Sequence, residues 1–249
     1  MVAVREDLRL ALDRVAFAED LGISPDPWQR DLLRSTSKRV LLNITRQGGK
    51  STTAAVIALH RALYHPQSLV LVLAPALRQS QELFGKVASF YRRLGRPVAA
   101  QGERRLSLEL ENSSRIVTLP GTEKTIRGFS GASLLLVDEA ARVANDLYAS
   151  IRPMLAVSGG RLLALSTPFG TRGWFYDAWV SAEPWERYEV PATEVPRISP
   201  AFLEEERRTL GEWWYEQEYM CRFLDAETQA FRREDIDRAF EEEVEAWEL

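Results

Sequence analysis

Apolar positions along this chain fall into short continuous runs separated by longer amphipathic stretches, and that alternation predicts its elements. Arg39 to Ile44 and Ser68 to Ala74 are dominated by aliphatic residues, the signature of strands buried on both faces. Ser51 to Leu63 has the length of a helix and ends before Pro66, and Ala76 to Leu94 reads as a longer helix stopped by Gly95 and Pro97. Two more buried strands are predicted, Ser133 to Val137 closing on Asp138-Glu139, and Arg161 to Leu165 closing on Ser166-Thr167-Pro168. Strands that alternate with helices pair in parallel through helical crossovers, so the pattern predicts an α/β fold with a mainly parallel sheet flanked by helices. Leu106, Leu108 and Leu110 alternate with polar residues and turn through Glu111 to Ser114 into Arg115 to Leu119, which predicts a hairpin inserted in that sheet with an exposed tip. Before the first strand, Leu8, Leu12 and Val15 predict a helix over Glu6 to Ala18, and Pro27 opens a short helix through Trp28 to Leu33. Beyond Pro200 the chain turns helical, aromatic and acidic, so we divide it into a core, 1–202, and a small helical acidic appendage or linker, 203–249.

Composition narrows the class. With 249 residues, 45% of them hydrophobic, the chain can bury the core of one large domain. The longest mainly apolar stretch, Leu69 to Leu77, is far short of the ~20 residues a spanning helix needs, and the first fifteen residues contain no apolar leader region. We therefore expect no membrane partner and a cytoplasmic location. One cysteine, Cys221, excludes an internal disulfide framework, and with only His60 and His65 as imidazoles a structural zinc site is not expected. Cys221 reads as a small buried hydrophobe. The formal charge of −4 hides an asymmetry: residues 203–249 hold 16 acids against 6 bases, residues 1–202 hold 20 against 26. A basic body suits a polyanion, although a solvated surface rich in arginine accounts for it equally well.

Thr45-Arg46-Gln47-Gly48-Gly49-Lys50-Ser51 lies between a predicted strand and a predicted helix, where a phosphate-binding loop works. Backbone N–H groups and the helix N-terminus face the phosphates, Lys50 reaches the terminal ones, and the Ser51 hydroxyl can hold Mg²⁺, with Thr52 following it. The general pattern asks for glycine where the chain has Ile44, so the loop alone is equally compatible with a plain glycine-rich turn. Asp138 and Glu139 decide between the two. A buried strand delivers both carboxylates to its C-terminal end, where ligands of open α/β sheets bind; the first can orient Mg²⁺ and the second can polarise an attacking water. Together these features predict ATP hydrolysis.

At this point the sequence resembles the large terminase subunit of tailed double-stranded DNA viruses, the motor ATPase that pumps DNA into a procapsid. The resemblance rests on Pro27-Trp28-Gln29, similar to the family's adenine motif; on the 45–51 loop, whose Arg-Gln pair and missing first glycine are the family's variant; and on Thr125-Ile126-Arg127-Gly128, Asp138-Glu139 and Ser166-Thr167-Pro168. It implies a P-loop NTPase of the additional-strand, catalytic-glutamate type, in which an extra strand separates the loop strand from the Asp-Glu strand and Glu139 is the base. It further implies that Ser166 and Thr167 sense the γ-phosphate, and that double-stranded DNA, other copies of the chain in a ring, a portal protein and a small terminase subunit are partners in a host cytoplasm. Members usually carry a nuclease after the ATPase domain. Only 24 residues follow Asp225, and Glu234, Asp235 and Asp237 read as a solvated helix face, so we expect no nuclease activity here.

Several roles stay open at this level. Trp28 and Gln29 either pack and cap a helix or contact adenine, for which Gln offers both a donor and an acceptor. Arg46 is a phosphate contact in cis or a partner for a nearby carboxylate. Arg127, beside Gly128 and Gly131, is an arginine finger toward a neighbouring subunit or a surface ion pair. Tyr91-Arg92-Arg93 and Arg104-Arg105 line a DNA path or are merely solvated. The competing functions are a helicase or remodelling core, which would need a second motor domain, and a nucleotide-gated binding module, for which a positioned base such as Glu139 is superfluous.

Overall fold

The computed structural model describes residues 2–119 and 128–225. Its centre is a sheet of eight strands: β1 (Arg39–Ile44), β2 (Leu69–Leu73), β3 (Ala100–Arg104), β4 (Ser107–Leu110), β5 (Arg115–Leu119), β6 (Leu134–Asp138), β7 (Arg161–Ser166) and β8 (Glu186–Val190), in the order β3-β4-β5-β2-β6-β7-β1-β8. From β5 to β8 every pairing is parallel, with Val40 opposite Leu163, Leu71 opposite Leu135 and Leu136 opposite Leu163. β4 pairs antiparallel with β5 and β3 with β4, so the predicted hairpin exists and carries one strand more than its apolar pattern announced. β7 lies between β1 and β6, the extra strand that the resemblance implied.

The period-2 alternation of strand side chains sorts the core into two layers. Val40, Leu42, Val70, Val72, Leu134, Leu136, Leu163 and Leu165 share one cluster with Val56, Leu59 and Leu83, which belong to α4 (Lys50–Tyr64) and α5 (Leu77–Arg93). The same cluster takes in Phe17 of α2 (Arg14–Asp20) and Leu32 of α3 (Pro27–Arg34). Leu41, Leu71, Leu135, Val137, Leu162 and Ala164 point the other way, onto Ile151 of α6 (Asn145–Ile151) and Trp174 and Phe175 of α7 (Trp174–Val180). Each fully buried aliphatic side chain contributes about 1.5–3 kcal/mol.

The N-terminal expectation needs correcting. The chain forms two helices there, α1 (Val2–Leu12) and α2, broken at Asp13, whose side chain accepts from the Val15 amide and caps α2. Leu8 and Leu12 are exposed and only Val15 joins the core. At the other end α8 (Pro200–Leu210) and α9 (Glu212–Glu218) pack around Leu203 and Tyr215, so position 202 falls inside a helix. Past α9 the chain returns to the sheet: the Asn43 amide donates to Cys221 O at 2.8 Å, and Phe223 packs on Phe175 and Trp179. Cys221 is buried, as expected, its Sγ 3.3 Å from Val190 O. Residues 226–249, with Glu234, Asp235 and Asp237, lie outside the described residues.

Candidate active site

Five residues turn the chain from the end of β1 into the start of α4. The turn uses left-handed backbone at Gln47 (φ 58°) and Gly49 (φ 94°), and glycine is the residue that adopts this without penalty. Position 48 must be glycine for a different reason, since a Cβ there would lie 2.5 Å from Ile44 Cγ2 and 3.0 Å from Thr45 O. Ile44 is itself part of the core, so the residue that departs from the general loop pattern fills space beneath the loop. Lys50 is buried at the start of α4, its Nζ making long hydrogen bonds to Ile44 O (3.3 Å) and Thr45 O (3.5 Å). Burial pulls its ammonium below the ordinary lysine value, and the negative charges of Glu139 and Asp138 oppose that shift.

The carboxylates arrive by strand parity. Asp138 is two residues beyond Leu136 and so faces the layer of α4, where Ser51 Oγ donates to its Oδ2 at 3.4 Å. Burial first, and the adjacent Glu139 charge second, push the Asp138 carboxyl up to about 6. Glu139 leaves the strand in left-handed conformation (φ 49°), which costs a non-glycine residue about 1–2 kcal/mol. Its amide donates to Asp138 Oδ1 at 3.0 Å, and it opens a short 3-10 turn, Ala140–Arg142. Ser166 has the opposite parity, that of Leu162 and Ala164. It faces the second layer, where its Oγ accepts from the Ala141 amide at 3.2 Å. The end of β7 thus holds the turn that carries Glu139.

These pieces border a cleft of about 640 Å³. Gln29, Arg46, Gln47, Gly49, Lys50, Ser51, Thr52 and Glu139 all line it. Thr45, Asp138, Ser166 and Thr167 are buried and do not line it, and Gly48 presents its carbonyl to Arg197. Trp28 does not reach the cleft: its ring packs in the core. Gln29 is nearly buried and both ends of its amide are committed, Oε1 accepting from the Asp26 amide and Nε2 donating to Thr53 Oγ1, each at 2.8 Å. Arg46 stands 2.6 Å from the buried Glu218 carboxylate of α9, an ion pair without hydrogen-bond alignment, and Arg142 approaches the same group at 3.8 Å. Of its two options, Arg46 therefore takes that of carboxylate partner. Arg127 and residues 125–126 lie outside the described residues.

Of the cleft residues that escaped the sequence reading, two bond to the loop or to the start of α4. Arg197 bonds Gly48 O (2.5 Å) and Asp26 Oδ2 (2.7 Å), clamping the loop from outside, and Lys86 Nζ reaches Thr52 Oγ1 at 3.3 Å. Neither belongs to a motif, and only the tertiary fold brings it there. Of the arginines read as a DNA path, Arg92 pairs with Glu103 at 3.3 Å and Arg93 donates to Leu21 O at 2.6 Å, while Arg104 and Arg105 are exposed.

The donor set fits a nucleotide with a hard divalent cation. Ser51 and Asp138 offer adjacent oxygens, and among the described residues no group of three or more His, Cys, Asp or Glu gathers as a metal cage. Magnesium asks for little more, since it takes one or two protein oxygens and completes its shell with phosphate and water.

Known proteins converge on the same architecture. The family described as terminase large subunit, T4likevirus-type, N-terminal, matches residues 41–238. The large terminase subunit of Thermus virus P23-45 is 31% identical over 241 residues, covering 88% of this chain and 49% of that protein; that of Escherichia phage T5 is 24% identical over 222 residues, covering 84% and 50%. The chain thus spans about half the length of the curated relatives it matches. Among solved structures, the large terminase ATPase domain of Thermus phage P74-26 superposes with a TM-score of 0.74 at 26% identity, covering 84% of this chain and 97% of that one. The ADP complex of the large terminase of thermophilic bacteriophage D6E superposes with a TM-score of 0.65 at 11% identity, covering 80% and 53%, a likeness of fold.

Proposed function

The chain belongs to the terminase large-subunit family, and we propose that it hydrolyses ATP, with Mg²⁺, to drive double-stranded viral DNA into a procapsid. One observation carries the reading: with β7 between them, β1 and β6 bring the Lys50-Ser51 loop and the Asp138-Glu139 pair to one cleft, Ser51 Oγ within 3.4 Å of Asp138. The large terminase of bacteriophage D6E, which shares this fold, has been solved in complex with ADP, and this accords with a nucleotide in the cleft.

In this reading the loop amides and Lys50 hold the β- and γ-phosphates, and the cleft edge around Gln29 receives the base. Ser51 and Asp138 would hold the magnesium ion, which would supply positive charge to neutralise the phosphates. Glu139 orients the attacking water and takes its proton. Ser166 supports the strained turn under Glu139, so a change at the γ-phosphate can be passed along β7, the coupling role proposed for Ser166 and Thr167. Arg127 is the proposed finger toward a neighbouring copy in a ring, with Arg46 as a second cation at the loop. The net positive body of residues 1–202 would grip DNA through its phosphates without reading sequence. A portal protein and a small terminase subunit complete the set of partners.

Steady-state ATP hydrolysis by wild type and Glu139→Ala, with and without duplex DNA at low salt, tests the reading. Turnover by wild type that is lost in the variant supports it. Absence of turnover in a folded wild type that binds ATP, with and without DNA, would overturn it.

A further inference from the structure

A second cleft, of about 460 Å³, opens at the opposite end of the strands, where β1, β6 and β7 begin and α4 ends. Every charged side chain in its lining is basic or an imidazole: Arg14, Lys38, Arg61, Arg161 and His65. Arg14 donates to Ser35 O at 3.2 Å, and Arg161 to Ser37 O at 2.8 Å and Ser35 Oγ at 3.1 Å. These partners are neutral, so among the described residues neither guanidinium is paired directly with a carboxylate. The carboxylate that most affects Arg161, Glu186, already accepts hydrogen bonds from Ser35 Oγ and Tyr188 OH. Arg61 has no hydrogen-bond or ion-pair partner among the described residues, and its Nε is buried without one. Burial pulls Arg14, Arg61 and Arg161 below the ordinary arginine value; repulsion from Arg61 adds to the shift of Arg14, and repulsion from Arg14 to that of Arg161, which falls to about 10 although Glu186 opposes it.

A half-buried guanidinium with no carboxylate partner is costly, and several in one recess also repel one another. Chains keep such groups where an anion compensates them, and arginine forks match the oxygens of phosphate in charge and geometry. We propose that this cleft binds a phosphate group, held by Arg14, Arg61 and Arg161 from its walls and by Lys38 at its exposed rim. The site is separate from the loop site. α4 runs from Lys50 to Tyr64, so at 1.5 Å per residue the two clefts lie roughly 20 Å apart along that helix. The inference stands whether or not the chain is a motor, because it uses none of the loop or Asp-Glu residues.

Inorganic phosphate supplies the probe. It is titrated calorimetrically into the Glu139→Ala chain saturated with ATPγS, so that the loop is filled and no phosphate is released, with chloride at matched ionic strength as reference. Saturable binding is expected, weakened about tenfold or more by Arg61→Leu, which removes a charged donor. Lys38→Glu, at an exposed position that does not bear on folding, should weaken it as well. A parallel arm measures binding of a short DNA duplex against salt. If the phosphate that fills the cleft belongs to a nucleic-acid backbone, free phosphate binds weakly, but Arg61→Leu lowers the salt slope by about one. Phosphate affinity and duplex salt slope both unchanged in Lys38→Glu and Arg61→Leu would overturn the proposal, as would the absence of binding by either ligand.

Discussion

Glu139 combines a proposed chemical role with a backbone conformation that penalises its side chain, and the two separate in a pair of variants. Glu139→Ala removes the carboxylate and keeps a Cβ at φ 49°, while Glu139→Gly also releases the left-handed penalty. That release is worth about 1–2 kcal/mol, offset by about 0.4–1 kcal/mol from the freer unfolded chain. Glycine should therefore be the more stable variant by ~0.5–1 kcal/mol, a difference of about 1–4 °C in Tm for a chain of this size. Turnover should fall in both by about 10²–10⁴-fold, the usual contribution of a positioned base, or roughly 3–5 kcal/mol of barrier. ATP affinity should survive, because Asp138 accepts the backbone amide of residue 139 and not its side chain, so the loop and the Ser51–Asp138 contact stay in place. Lys50→Ala, by contrast, should weaken binding along with turnover. Calorimetric ATP titration, steady-state hydrolysis and thermal melts on the same preparations check all three quantities. Turnover of either Glu139 variant within about tenfold of wild type, ~1.4 kcal/mol, would refute the base assignment. A glycine variant that melts below the alanine one would refute the strain argument.

Arg46→Ala should cost more stability than Glu218→Gln, measured by denaturant unfolding. The first leaves a buried carboxylate with only Arg142 at 3.8 Å, about 1–3 kcal/mol, whereas the second frees a largely exposed arginine at about 1 kcal/mol or less. His60 is pulled to about 4 by burial, with Arg14 adding repulsion, so its neutral ring is the folded form. That contribution is complete above its ordinary 6.5 and is lost as pH falls from 6.5 toward 4, by up to about 3 kcal/mol. His60→Gln, which keeps a donor for Leu10 O and Ala11 O, should flatten the Tm profile between pH 7 and 4.5; an unchanged profile would assign the acid sensitivity elsewhere. Gly160→Ala should be among the most damaging single changes outside the loop. Its Cβ would sit 2.1 Å from the backbone oxygen of Ala132, which cannot swing away, so a loss of about 3 kcal/mol or more is expected in thermal melts.

What the sequence disclosed follows from where side chains face. β1, β2, β6 and β7 are covered on both sides, so they appear as aliphatic runs whose bounds can be read to within a residue or two. β3 (Ala-Gln-Gly-Glu-Arg) and β8 (Glu-Arg-Tyr-Glu-Val) are the two edges of the sheet, with mostly part-exposed positions. An edge strand needs only one neighbour and carries no apolar run, so neither announces itself. Helical spacing misled at Leu8 and Leu12 because periodicity says which residues share a face, not whether anything covers that face, and Asp13 ends the helix before Val15 reaches the core. Strand order was legible only through resemblance, since the pattern within a strand carries no information about its neighbour. The loop and the Asp-Glu pair were visible because their chemistry is local in sequence. Arg197 and Glu218 were not: each is an ordinary charged residue whose role appears only once the fold carries it back, across 149 residues to Gly48 and 173 residues to Thr45. The cations of the second cleft share this property. Arg14, Lys38, Arg61 and Arg161 come from four separate segments, each contributing a single ordinary cation, and the concentration of charge exists only where the strand starts and the end of α4 meet. A net charge of −4 therefore says little about which anions the chain can hold, because recognition depends on the charges that the fold gathers and not on their sum.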